Sequence, residues 1–234
     1  MRLSTTGRKL LIAGLGLGVG SLASSSRVRS SLPRPQIPLV QCDAGRYTVS
    51  KDGTVCITDP RFERVDQKLF SDPKYRKFVK DHAIHDTLSG PGKVEQYEMY
   101  VNKETEELLS VITIGKSLNG YPSIVHGGIL GLLIDNSFGI LFLNLDKPYS
   151  VTANLNINYR NPTYAGTQVV LHAKIDKVEG RKLFMTASVE DVKTRKVLVE
   201  SSTLFLTMRR AWWDPLGVVP KTSMLLADWG IKLR

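Results

Sequence analysis

The sequence predicts an α+β fold in which an antiparallel sheet wraps around one central helix. Three observations carry that expectation: two short runs of alternating apolar and polar residues, one stretch near residues 126–144 that is apolar on almost every side, and four further alternating runs after it. A helix without a polar face must be buried, and the strands on either side of it in the chain supply a sheet to bury it. The 234 residues, 42% hydrophobic and 23% charged, suffice for one such domain with extensions at both ends.

The first extension is a basic leader. In residues 1–46, Arg2, Arg8, Lys9, Arg27, Arg29, Arg34 and Arg46 face Asp43 alone, so more than half of the net charge of +10 lies there. A stretch rich in Arg, Ser, Gly and Leu with no acid up to Arg34 has the composition of a mitochondrial presequence. Residues 10–26 carry no charge and are flanked by Lys9 and Arg27, near the lower length limit for a bilayer span. A cleaved presequence and a single-pass anchor are therefore equal expectations, with a secretory signal as a minor alternative. Gly14, Gly16, Gly18 and Gly20 do not make a dinucleotide loop, because Val19 breaks the spacing and no strand precedes them. Pro33, Pro35 and Pro38 favour an extended linker.

Lys51-Asp52-Gly53 between the runs 47–49 and 54–57 predicts a small hairpin, since Asp-Gly supplies the positive φ of a tight turn. Asp59-Pro60 should open a helix through about Leu69, and Ser71-Asp72-Pro73 a second one towards His82, making residues 47–88 a helical N-terminal accessory. Ser89-Gly90-Pro91-Gly92 breaks the chain. Strands are expected at 94–102 and 108–115, then the helix from 126 to about 144, then strands at 150–159, 167–178, 182–192 and 197–208. Trp212, Trp213 and Trp229 mark a tail, residues 209–234, suited to dock on the core or to touch a membrane surface.

Beyond the leader there is no zinc spacing, no helix-turn-helix signal and no basic stripe interleaved with aromatics, so a nucleic-acid partner is not expected. Cys42 and Cys56 are too few for a disulfide framework and read as free thiols.

Chemistry concentrates at the apolar helix. His126-Gly127-Gly128 sits where it begins, and the first backbone N–H groups of a helix have no partner inside it. Such a donor stabilises a developing oxyanion; alternatively the two glycines only relieve a tight turn. Asp135 follows in mid-helix between Ile134 and Phe138, where a carboxylate needs a partner or a purpose. A general base that activates water is one purpose; a structural acid bonded to Asn136, Ser137 or a neighbouring strand is the alternative. Nine residues separate His126 from Asp135, about 13.5 Å along the axis and about 180° around it. Donor and base acting on one carbonyl should then come from two subunits. In the run 151–159, strict alternation places Thr152, Asn154, Asn156 and Asn158 on one face. Thr152 there could hold a water, and Arg160, Arg181 and Lys182 could meet phosphates.

Taken together, Ser89-Gly90-Pro91-Gly92, His126-Gly127-Gly128 with Asp135, the run from Thr152 to Tyr159 and Asp176-Lys177-Val178-Glu179-Gly180-Arg181-Lys182 closely resemble the thioesterase superfamily member 4 and 5 group. These are mitochondrial hotdog-fold acyl-CoA thioesterases, and the glycine-rich leader looks like that of a fungal-type member. The resemblance covers residues 89–208. It implies a hotdog fold, hydrolysis of fatty acyl-CoA, a mitochondrial location, no metal or other cofactor, and a homodimer or dimer of dimers paired through its sheets. It implies Asp135 as the catalytic acid, Thr152 as its partner hydroxyl, Gly127 at the oxyanion position and His126 as the residue shaping the turn. Asn158, Arg160, Arg181, Lys182, Leu183, Phe184, Met185 and Thr186 match positions that contact coenzyme A. The N-terminal region and the Trp-rich tail have no counterpart in the resemblance. The added ends leave a second class open, a membrane-tethered, non-catalytic acyl-CoA-binding or scaffold protein; a hotdog hydratase is a third.

Overall fold

The computed structural model describes residues 45–65, 80–145, 147–148 and 150–208. The leader, the body of the helix expected after Ser71-Asp72-Pro73, Cys42 and the Trp-rich tail lie outside these residues. In chain order the elements are β1 (Tyr47–Val49), β2 (Val55–Ile57), β3 (Glu63–Arg64), a single π-helical turn (Ala83–Thr87), β4 (Val94–Asn102), β5 (Glu107–Ile114), β6 (Asn119–Tyr121), β7 (Ile124–Val125), α1 (Gly127–Asn144), β8 (Ser150–Tyr159), β9 (Thr167–Glu179), β10 (Lys182–Asp191) and β11 (Val197–Thr207). Seven strands form one antiparallel sheet in the order β3-β4-β5-β9-β10-β11-β8.

The helix lies against one face of this sheet, as its lack of a polar side requires. Leu130, Leu133, Ile134, Phe138, Leu141 and Phe142 meet Leu108, Ile112, Leu171, Met185, Val199 and Phe205 in the main core. Phe205 packs edge-on against Phe138 and Phe142, at centroid distances of 6.4 and 5.3 Å. Such contacts add about 0.5–1.5 kcal/mol each beyond area burial. By length and composition Gly127–Asn144 could cross a membrane; here half of it is buried and it forms the core element against which the sheet packs.

A second apolar cluster occupies the outer face of the sheet. Leu109, Val111 and Val170 are covered by Tyr47, Val55 and Ile57 of the β1–β2 hairpin and by Phe62. The hairpin forms as Asp52-Gly53 predicts, with Gly53 at φ +90°.

The helix expected from Asp59 does not form over 59–65. Asp59 accepts from the Arg61 N–H through its side chain and from the Phe62 N–H through its carbonyl, which closes one turn only. Phe62 then enters the outer cluster and Glu63 and Arg64 pair with Val101 and Tyr100 on the sheet edge. Burial of Phe62 and a strand edge in need of a partner override the Asp-Pro start signal. The described part of the accessory region is thus a hairpin, an edge strand and a π turn, not a helical extension.

The strict alternation expected for β8 is also corrected. Thr152 pairs with Phe205 and Asn154 with Leu204, so Ala153 is an extra, bulged residue. Beyond the bulge the pairs are Leu155 with Thr203, Ile157 with Ser201 and Tyr159 with Val199. Thr152 therefore shares the helix-facing side with Leu155, Ile157 and Tyr159. Asn154, Asn156 and Asn158 fall on the outer side, opposite Leu204, Ser202 and Glu200.

Candidate active site

The site is a seam where β8, the edge strand, runs along one stripe of α1. Gly127, Gly131 and Asp135 recur every four residues and so lie on one side of the helix. Each is met by a helix-facing residue of β8. Thr152 Oγ1 donates to Asp135 Oδ1 at 2.8 Å, and Tyr159 Oη donates to the Gly127 carbonyl at 2.8 Å. A Cβ added at Gly131 would come within 2.9 Å of Ile157 Cδ1, and one at Gly127 within 3.0 Å of Tyr159 Cζ and Oη. The glycines let the strand close on the helix.

His126 is the N-cap of α1. Its backbone is extended, φ −62° and ψ 128°, and its Nδ1 accepts from the Gly128 N–H at 2.9 Å. An accepting Nδ1 places the proton of the neutral ring on Nε2. The His126 N–H in turn donates to the Leu118 carbonyl, at 2.8 Å. With the Gly128 N–H taken, the Gly127 N–H finds no acceptor among the described residues. It is the free donor at the positive end of the helix.

Asp135 is half-buried, and Asn136 and Ser137 do not serve it: Asn136 Nδ2 donates to Tyr97 Oη at 3.1 Å, and Ser137 Oγ lies 2.7 Å from the same atom. Its partner is the β8 hydroxyl, brought to it by the Ala153 bulge. Gly127 and Asp135 are eight residues apart, about 12 Å along the axis and about 80° around it. The offset from Gly127 is smaller than the half-turn from His126, but the axial separation still exceeds the size of one ester group.

The positions expected to contact coenzyme A are split by the pleat. Leu183 and Met185 point into the core, each 1% exposed, and are closed to a ligand at the surface of this chain. Thr186 is buried and donates to Asp176 Oδ1 at 3.1 Å. Phe184 lies on the outer side beneath Lys177, whose Nζ is 4.7 Å from the ring centroid. Arg181 Nε donates to the Thr207 carbonyl, at 2.9 Å, and Lys182 is exposed at the start of β10. Asn158 lies on the outer side of β8, away from Asp135. Arg160 directs Nε and Nη2 to one oxygen of the buried Glu200, at 2.6 and 2.5 Å, and so neutralises that carboxylate.

Residues 123–198, which hold His126, Gly127, Asp135, Thr152 and Tyr159, match the family described as Thioesterase superfamily. This stretch is similar to that family. The chain is 32% identical over 144 residues to the mouse acyl-coenzyme A thioesterase THEM4, across 61% of this chain and 62% of that protein. It is 30% identical over 123 residues to the mitochondrial membrane protein FMP10 of Saccharomyces cerevisiae, across half of each. The chain thus spans about half to three fifths of the length of these relatives. Among solved structures, a Streptococcus mutans protein bound to acetyl-CoA superposes with a TM-score of 0.44 at 19% identity, over 49% of this chain and 90% of that one.

Two residues, one on the seam and one on the outer face of the sheet, have no role assigned by the sequence. Tyr159 was hidden by the assumption of unbroken alternation, which points it away from the helix. Glu200, the partner of Arg160, reads as an ordinary strand acid; an acid flanked by Val199 and Ser201 in a buried strand was the available signal.

Proposed function

We propose that the domain hydrolyses fatty acyl-CoA to free fatty acid and coenzyme A. The observation that carries the proposal is the Asp135 carboxylate held by the Thr152 hydroxyl on the seam that also carries a free helix N-terminal donor. A hydroxyl has one proton and two lone pairs. With its proton on Asp135, Thr152 can accept from a water whose second proton is accepted by the other Asp135 oxygen. That water keeps a lone pair for the thioester carbon. As it attacks, one proton passes to Asp135 and the carbonyl oxygen becomes an oxyanion facing a Gly127 N–H. Collapse breaks the C–S bond, and the leaving thiolate takes the proton from Asp135. Water is the only co-reactant, so the proposal requires neither metal nor redox cofactor.

The 12 Å between Gly127 and Asp135 supports a site shared by two copies, with the donor of one chain acting beside the acid of the other. β8, which carries Thr152 and Tyr159, is an edge of the described sheet and has backbone groups open to a second copy. The named mitochondrial relative and the composition of residues 1–34 support action in the mitochondrion, with residues 10–26 as leader or anchor.

Steady-state hydrolysis of a series of straight-chain acyl-CoAs tests the proposal. Wild type should turn over at least one chain length and Asp135→Asn none at a comparable rate. Full activity in the mutant removes the assignment, and binding without turnover by wild type selects the non-catalytic alternative. Mixing Gly127→Val with Asp135→Asn should restore part of the activity if the site is shared, and restore none if it is not.

A further inference from the structure

The Gly127–Gly128 peptide is held at both ends by side chains from different elements. Its N–H donates to His126 Nδ1, in the turn before the helix, at 2.9 Å. Its carbonyl accepts from Tyr159 Oη, at the end of β8, at 2.8 Å. The helical ladder directs the Gly131 N–H to the same carbonyl, and Tyr159 takes the second lone pair. Two successive glycines have the least intrinsic restraint on φ and ψ of any residue pair, and they occupy the helix end, where frayed geometry is common.

Tyr159 is 53% exposed, so water could satisfy its hydroxyl at little cost. Its bond to Gly127 is therefore not required by burial. The bond matters for the peptide, because it fixes the plane that follows the Gly127 N–H. The ring closes on the Gly127 Cα, where a Cβ would lie 3.0 Å from its Cζ. The bulge at Ala153 is what makes this possible. Seven residues separate Thr152 from Tyr159, an odd number, and an unbroken strand would place one of them on the outer face. With the bulge, one strand holds the acid through Thr152 and the donor end through Tyr159.

We infer that Tyr159 is a positioning residue for the oxyanion donor, acting through the Gly127–Gly128 peptide. The inference rests on the hydrolase proposal for its kinetic consequence and on the observed bond for its structural one. A donor held in place before the reaction needs no reorganisation when charge develops on the substrate. Loss of the clamp should lower kcat and leave substrate binding in place.

The test is Tyr159→Phe, which keeps the ring over Gly127 and removes only the hydroxyl. For the chain length that wild type hydrolyses best, kcat should fall about tenfold with KM within about twofold, against the hundredfold or more that loss of an oxyanion donor costs. Amide hydrogen exchange at Gly128, followed by NMR, should quicken by a similar factor while exchange in β9 and β10 stays unchanged. Unchanged kcat together with a dead Asp135→Asn enzyme overturns the inference and leaves the hydrolase proposal standing. Absence of turnover in wild type defeats that proposal, and the exchange measurement then decides on the clamp alone. Unchanged exchange at Gly128 overturns it in either case.

Discussion

On the outer face of the sheet Glu107, Glu190 and Glu200 are buried and each has a guanidinium against it, whereas Asp135, at the seam of the inner face, is met by a neutral hydroxyl. Arg46 Nη2 lies 2.9 Å from Glu107, Arg195 Nη2 3.9 Å from Glu190, and Arg160 Nη2 2.5 Å from Glu200. Burial alone would raise the Glu107 carboxyl, but His172 and Arg46 beside it outweigh that and hold it below the ordinary glutamate range. Among the described residues no cation pairs with Asp135. A carboxylate cancelled by a guanidinium has lost its use as a proton acceptor and stabilises a fold. A carboxylate held only by a hydroxyl keeps its charge available, which is what a base needs.

The largest effect expected from this contrast is kinetic. Asp135→Asn keeps size and hydrogen bonding, and should lower kcat by about 10²–10⁴-fold, the usual worth of a general base. Its unfolding midpoint should stay within about 0.5 kcal/mol of wild type, because no buried ion pair is broken. Equal activity, or a large stability loss, would place Asp135 with the outer-face acids.

Next comes the converse experiment on the outer face. Glu107→Gln removes the charge from the bond that Arg46 Nη2 makes to this side chain and should cost about 2 kcal/mol in a urea titration, the range for hydrogen bonds to charged groups. Activity per folded molecule should not change. A drop in kcat at unchanged stability would show that the two faces are not separate.

Much of this division could be read from the sequence. The order of the two strands, helix and four strands follows from periods of two and from an apolar run too long for a strand, and it holds to within one residue at most boundaries. Asp135 stands out because nothing else between Leu130 and Phe138 is charged. The pairings themselves were not legible. Arg46 and Glu107 lie 61 residues apart and Arg160 and Glu200 40 apart, and no local pattern encodes which strands neighbour each other. The Ala153 bulge leaves no mark in an alternating sequence, so strict alternation sets Tyr159 on the opposite face from Thr152, whereas the two share one. Asp59-Pro60 signals a helix start but not the apolar cluster that draws Phe62 away from one.

A third effect concerns acid. His85 stacks on Tyr97 at 5.9 Å between ring centroids, and burial together with the nearby His82 lowers its pKa to about 3, from an ordinary 6.5. The unfolded chain therefore binds a proton that the folded chain refuses between those two values. Stability contributed by neutral His85 is complete above pH 6.5 and is lost as pH falls, by up to about 1.4 kcal/mol per unit. His85→Phe retains a ring against Tyr97 and should flatten the decline between pH 7 and pH 5 in urea titrations. Parallel declines in the two proteins would exclude His85 as its source.

The smallest effect expected is at Thr152, and it tests how the neutral partner works. If its hydroxyl only steadied Asp135, Thr152→Val would cost about 1 kcal/mol, the net worth of one hydrogen bond, seen as a modest fall in kcat. If the hydroxyl also accepts from the attacking water, Val removes that contact as well, and the water must find a new position beside a methyl group. Thr152→Ser separates these cases, since it restores donor and acceptor without the methyl that stiffens χ1 in a strand. A kcat ordered wild type, then Ser, then Val, with the Val enzyme down by more than about tenfold, supports two bonds through one hydroxyl. Because Thr152 is exposed at a strand edge, none of these substitutions should move the unfolding midpoint by more than about 0.5 kcal/mol. The loss would then belong to the water and the acid, the pairing that no guanidinium on the outer face can imitate.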